Sequence, residues 1–157
     1  MNFTIESFER EHIEEVFALW RASEGLGLAG ESAERIEDCL LRSPGLSFVA
    51  MRDGRIAGAV LCTSDGRRGY LHHLAVARQD RRSGIGRALA MAAASAAARQ
   101  GLPKVHLFVL RTNAEALAFW ARIGWVERTD LAMMTRSFEP TPDPDEWTTI
   151  SGGQVTP

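Results

Sequence analysis

Apolar positions change their period several times along the chain, and each change marks an element. Phe3 and Ile5 alternate with polar neighbours, as in a first strand, whereas His12 to Arg21 carries Ile13, Val16, Phe17 and Trp20 at helical spacing. After the glycine-rich stretch Glu24 to Gly30, Ser32 is a candidate N-cap for a second helix that runs through Ile36, Leu40 and Leu41 and stops before Pro44-Gly45. Leu46 to Met51 and Ile56 to Thr63 are apolar runs joined by Asp53-Gly54, a dipeptide suited to a tight turn, so a hairpin is predicted. The turn-rich Ser64 to Gly69 precedes a fourth strand, Tyr70 to Ala77, interrupted by His72 and His73. Gly84 to Gln100 is a long helix with Ile85, Leu89, Ala92 and Ala96 on one stripe, ended by Gly101. Val105 to Leu110 is apolar enough to be a strand buried on both faces, and Asn113 to Ile123 is a helix closed by Gly124. Trp125-Val126 and Leu131 to Phe138 complete the pattern as two last strands, giving a mixed α/β fold without internal repeats.

A length of 157 residues fits one domain, and 45% hydrophobic with 24% charged residues is the balance of a soluble globule. The Ala-rich run Ala88 to Ala98 is bracketed by Arg87 and Arg99, which leaves no stretch suited to a membrane span. Met1 to Arg10 holds Glu6 and Glu9 and lacks the basic-then-apolar order of a secretion signal, so a cytoplasmic location is expected. Cys39 and Cys62 lie in apolar surroundings with no metal-ligand spacing; they are expected to be small buried hydrophobes, with neither a metal site nor a disulfide. The net charge of −2 gives no field for nucleic acid. Its distribution is more informative: residues 1–40 hold ten acids against three arginines, while residues 65–90 hold six arginines against Asp65 and Asp80, so an anionic ligand prefers the second region. From Glu139 onward Pro140, Pro142 and Pro144, with four acids and no basic residue, set a tail, 139–157, apart from a domain spanning 1–138. That tail is a candidate latch for a second copy, leaving a homodimer open.

The segment Leu74 to Arg87 runs from strand through loop into a helix that begins Gly84-Ile85-Gly86. A helix start presents unpaired N–H groups and the positive end of its dipole, and glycines let a phosphate approach without meeting a Cβ. Arg81, Arg82 and Arg87 add charge around this cradle. A P-loop is excluded because Gly-Lys-Ser/Thr is absent, and a dinucleotide fingerprint because Leu89 occupies its third glycine position.

Arg81-x-x-Gly84-x-Gly86 after Leu74-Ala75-Val76 resembles the acyl-coenzyme A signature of the GNAT acetyltransferase superfamily, and Asn113 to Trp125, with Phe119-Trp120 and Gly124-Trp125, resembles that family's later Asn, aromatic-pair and Gly-aromatic motif. The resemblance covers roughly residues 1–138. It implies a mostly antiparallel central sheet of six to seven strands, splayed between strands four and five and flanked by about four helices. It also implies acetyl-CoA as cosubstrate: the pantetheine arm lies along the backbone of Leu74, Ala75 and Val76, the pyrophosphate sits on the amides of Arg82, Ser83, Gly84, Ile85, Gly86 and Arg87 beside Arg81, and Asn113, Phe119 and Trp120 line the arm. Backbone groups freed by the splay need partners, and the arm's amides supply them.

Transfer to an amine requires a neutral nucleophile, so a proton must leave the ammonium. Strand alternation places Tyr70, His72, Leu74 and Val76 on one face and Leu71, His73 and Ala75 on the other. His72 is the candidate base because imidazole titrates near neutrality, and Tyr70 is a candidate acid or orienting group. Both histidines also suit hydrogen-bonded core positions, His73 more than His72. Where the family often has a tyrosine that protonates the thiolate, this chain has Trp120, whose indole N–H is no acid at neutral pH. Glu24 in the glycine loop is the candidate contact for an amine substrate, small molecule or peptide, together with the Asp65 to Gly69 turn. The leading expectation is an N-acetyltransferase acting by direct attack in a ternary complex; the alternative is a non-catalytic acyl-CoA-binding or regulatory domain.

Overall fold

In the computed structural model, residues 2–23, 26, 28, 30–136 and 138 are described. Glu24 and the tail 139–157, both singled out by sequence, lie outside them. The chain divides into two units, 1–125 and 126–157.

The described regular structure lies in the first unit: β1 (Thr4–Ser7), a 3-10 turn (Arg10–His12), α1 (Ile13–Arg21), α2 (Ala33–Arg42), β2 (Phe48–Arg52), β3 (Arg55–Ser64), β4 (Gly69–Val76), a second 3-10 turn (Arg78–Asp80), α3 (Ile85–Arg99), β5 (Val105–Leu107) and α4 (Ala114–Arg122). The expected caps and turns operate. Ser32 accepts a bond from Arg35 N–H and starts α2, Asn113 does the same for α4 through Ala116 N–H, and Asp53 and Gly54 both take positive φ between β2 and β3. The sheet order is β1-β2-β3-β4-β5, antiparallel except for the last, parallel pair.

Each sheet face buries one core. On one side α3 packs Ile85, Leu89 and the buried Ala90, Ala93, Ala96 and Ala97 against Ala57, Val60, Cys62 and Leu71. Small side chains on α3 and the absent side chain at Gly58 bring helix and sheet together: a Cβ at Gly58 would lie 2.9 Å from Ile85 Cγ2 and 3.0 Å from both the Ala75 carbonyl and Leu89 Cδ1. On the other side Val16 and Trp20 of α1 and Ile36 of α2 cover Val49, Ile56, Ala59, Leu61 and Ala75. Among the described residues no helix is long and apolar enough to cross a membrane.

Three sequence expectations are corrected. Among the described residues the sheet has five strands, not six or seven. Trp125-Val126 and the described part of Leu131 to Phe138 are not strands: Leu131, Met133 and Met134 break period 2, all are exposed, and a two-pronged Arg128–Asp130 ion pair (2.7 Å for both bonds) curls the chain ahead of them. β5 ends at Leu107 and is not buried on both faces, since Phe108 and Leu110 are 61% and 46% exposed; a turn bond from Asn113 N–H to the Leu110 carbonyl (2.9 Å) then leads the chain into α4.

Candidate active site

The site begins where β5 stops. β4 and β5 pair at Gly69–Val105, Tyr70–His106 and Leu71–Leu107, so among the described residues no strand pairs with residues 72–76 of β4 on that edge. Ala77 N–H donates to the Ala57 carbonyl of β3, and by alternation the backbone of Val76, and of Leu74 two residues earlier, points toward the open edge. The Val76 carbonyl accepts a long bond there from Arg81 Nε (3.4 Å).

Beyond Ala77 the chain makes the second 3-10 turn and passes through two left-handed positions, Arg82 at φ +62° and Gly84 at φ +90°, before α3 starts. Ser83 Oγ donates to the Asp80 carbonyl (2.5 Å) and fixes the turn from within. Arg81, Arg82 and Arg87 are exposed, so their charge is available to an anion at the α3 N-terminus. A Cβ at Gly86 would come within 3.5 Å of both Phe119 Cζ and Val76 Cγ2, which places Phe119 over the first turn of α3 beside the open edge. Trp120 stacks edge-on between Phe119 and Trp125 (ring centroids 5.0 and 5.1 Å) and is 9% exposed, a packing position. Ile85 and Ala75 are buried in opposite cores, so only their backbone is available to a ligand; Asn113 Oδ1 accepts from Ala116 N–H and caps α4.

The simple alternation expected along β4 fails at His73. The register with β3 passes from Ala59–Ala75 to Leu61–His72, so His73 and Leu74 together oppose Val60, and His73 takes φ +45°. This bulge flips the strand. Tyr70 and His72, opposite Thr63 and Leu61, face the α1–α2 side, while Leu74 and Val76 pack toward α3 instead of sharing their face. His73 turns to the α1–α2 side as well: its ring lies 5.0 Å from that of Trp20 and 6.2 Å from that of His72. Two adjacent histidines thus meet on one side of the sheet, which unbroken alternation forbids.

His72 Nε2 lies 3.2 Å from Thr63 Oγ1. Burial and the neighbouring His73 lower its pKa below 6.5, outweighing the opposite pull of Glu31, so the ring is a neutral base at neutral pH. His73 Nε2 is 3.3 Å from Glu31 Oε1, and this bond holds the Glu31 carboxyl below the usual range. Tyr70 belongs to the paired part of β4; its hydroxyl donates to Asp65 Oδ2 (3.3 Å) and its ring lies 5.9 Å from that of His106. Glu31 and Thr63 escaped the sequence reading. Glu31 had one local signal, its place between the glycine stretch and the Ser32 cap, while Thr63 had none.

The description "Acetyltransferase (GNAT) family" belongs to a sequence family whose profile matches residues 13–125. Acetyltransferase ECA0875 of Pectobacterium atrosepticum is 30% identical over 121 residues, covering 77% of this chain and 86% of that protein. Among solved structures, Ard1 from Thermoplasma volcanium superposes with a TM-score of 0.72 at 26% identity, over 80% of this chain and 84% of that one. AAC(6')-Iy, solved with a bisubstrate analogue of CoA and acetylneamine, superposes with a TM-score of 0.71 at 18% identity, over 87% and 99% of the two chains, a likeness of fold alone.

Proposed function

The chain belongs to the acetyltransferase (GNAT) family and is an acetyl-transferring enzyme, and from that premise we propose that it moves the acetyl group of acetyl-CoA to a primary amine by direct attack, with His72 as the base. The observation that carries this reading is the fork: β4 loses its neighbour β5 at the residue where the half-buried His72 imidazole stands. On one side of the sheet, the open backbone of Leu74 and Val76 leads to the glycine turn at α3, a run suited to a pantetheine arm ending in a diphosphate. On the other, His72 faces the α1–α2 side, where Glu31 supplies negative charge for an ammonium.

The chemistry balances with these groups. His72 takes a proton from the ammonium, the amine nitrogen forms a bond to the thioester carbonyl carbon, and collapse breaks the carbon–sulfur bond. The second nitrogen proton, lost as the amide forms, passes through water to the departing thiolate, because Trp120 has no acidic proton and the Tyr70 hydroxyl is bonded to Asp65. Neither cysteine is suited to a covalent acyl intermediate: burial raises both thiols, Cys62 to about 11. The acceptor is an amine of small-molecule or peptide type. AAC(6')-Iy is an aminoglycoside N-acetyltransferase, and a NatC complex solved with a Gag peptide and CoA superposes with a TM-score of 0.71 at 20% identity, over 82% of this chain and 87% of that one.

Thiol release from acetyl-CoA across a panel of small amines and peptides tests the reading. Release that depends on an acceptor and disappears in His72→Gln supports it; tight acetyl-CoA binding with no acceptor-dependent release from any amine overturns it.

A further inference from the structure

Asp80 is a buried carboxylate in a loop otherwise rich in arginine, and the acyl transfer chemistry leaves it without a task. It is 3% exposed. Its Oδ1 accepts from Arg52 Nη1 (2.9 Å) and its Oδ2 from Arg55 Nη1 (2.6 Å), with a further bond from Arg55 Nη2 to Oδ1 (3.3 Å). Arg52 and Arg55 sit directly opposite each other across the β2–β3 hairpin, on either side of Asp53-Gly54. Two like charges in that register repel, so the hairpin end carries a built receptor for one carboxylate. That carboxylate comes from the residue that closes the 3-10 turn before the glycine turn, and the same residue's carbonyl accepts the Ser83 hydroxyl. The loop is held at Asp80 from both sides, and two residues later Arg82 is kept at φ +62°, a conformation unfavourable for a side-chain-bearing residue.

We infer that Asp80, clamped by Arg52 and Arg55, is a positioning residue that pre-shapes the residue 81–87 turn for the diphosphate of the acyl donor. The inference rests on the proposed donor placement. Asp80 does not touch the donor; it fixes the backbone N–H groups that do, so that the ligand does not bear the cost of ordering them. A carboxylate acting only through its charge would repel a diphosphate, and its removal would tighten binding. The clamp predicts the opposite sign, and it predicts that loss of either side of the ion pair has the same effect.

The test uses the full chain. Calorimetry gives the Kd for CoA, and steady-state kinetics compare acetyl-CoA with acetyl-pantetheine, which has no diphosphate. Asp80→Asn is expected to weaken CoA binding and raise KM for acetyl-CoA by about tenfold, with kcat nearly unchanged and kcat/KM for acetyl-pantetheine unaltered. Arg55→Gln is expected to move the same quantities in the same direction, and it keeps the test open if Asp80→Asn does not fold. Unchanged or tighter CoA binding in either variant, or equal losses for both donors, overturns the inference. Failure of the wild-type chain to bind CoA refutes the donor placement instead.

Discussion

Replacing His72 by Gln removes a titrating base while preserving most of its surroundings. A glutamine amide reaches Thr63 Oγ1 as the imidazole does, and the bulge at His73, held by Trp20 and Glu31, does not depend on the ring at 72. A positioned general base contributes about 10²- to 10⁴-fold, so kcat should fall by that factor, roughly 3–5 kcal/mol of barrier, with KM for acetyl-CoA close to wild type. The pH profile sharpens the expectation. Burial and His73 depress the His72 pKa below that of a free imidazole, so the wild-type rate should hold through neutrality and fall only at more acid pH, as the ring is protonated. His72→Gln should lack that limb. Stopped-assay thiol release between pH 5 and 9 at saturating donor measures both. A loss smaller than threefold, or an acid limb unchanged in the variant, refutes the assignment.

Further outcomes follow from packing and caps. Gly58→Ala puts a methyl 2.9 Å from Ile85 Cγ2 in the α3–sheet interface, an overpacking worth about 1–3 kcal/mol; thermal melts should show Tm lower by roughly 3–10 °C. Asn113→Ala removes the acceptor for Ala116 N–H and should cost about 1 kcal/mol in denaturant titrations, whatever it does to donor binding. Because the folded-state pKa of His72 is depressed, its contribution to stability is present above the unfolded value and is lost as pH falls from about 6.5 through the folded pKa; His72→Gln should flatten the stability profile in that window. Cys62, buried with its thiol pushed up to about 11, should resist thiol reagents at pH 7.5 until the protein unfolds.

How much was legible in the sequence depended on range. Helix α2 followed from Ser32 and its apolar stripe, and the β2–β3 hairpin from Asp53-Gly54, because each is set by neighbours along the chain. The glycine turn before α3 was visible for the same reason. The β4 bulge was not: it is defined by two residues opposing Val60 on another strand, and no local signal requires positive φ at a histidine. Both histidines therefore reach one side of the sheet against the alternation rule, and Glu31 becomes the partner of His73. Asp80 was read only as a charge, since its partners lie 25 and 28 residues away. The strands expected at 125–126 and, over its described part, at 131–138 failed because an apolar run without strict period 2 does not by itself supply a partner edge.

In the proposed reading, the open edge of β4 beyond Leu71, together with the turn into α3, receives the donor. Amide hydrogen exchange followed residue by residue, with and without acetyl-CoA, tests it most directly. Donor binding should bring new protection at Leu74 and Val76 N–H and across residues 82–87, with the paired amides of β2 and β3 little changed. Protection confined to other elements, with those amides exchanging as freely as in the free protein, would contradict it.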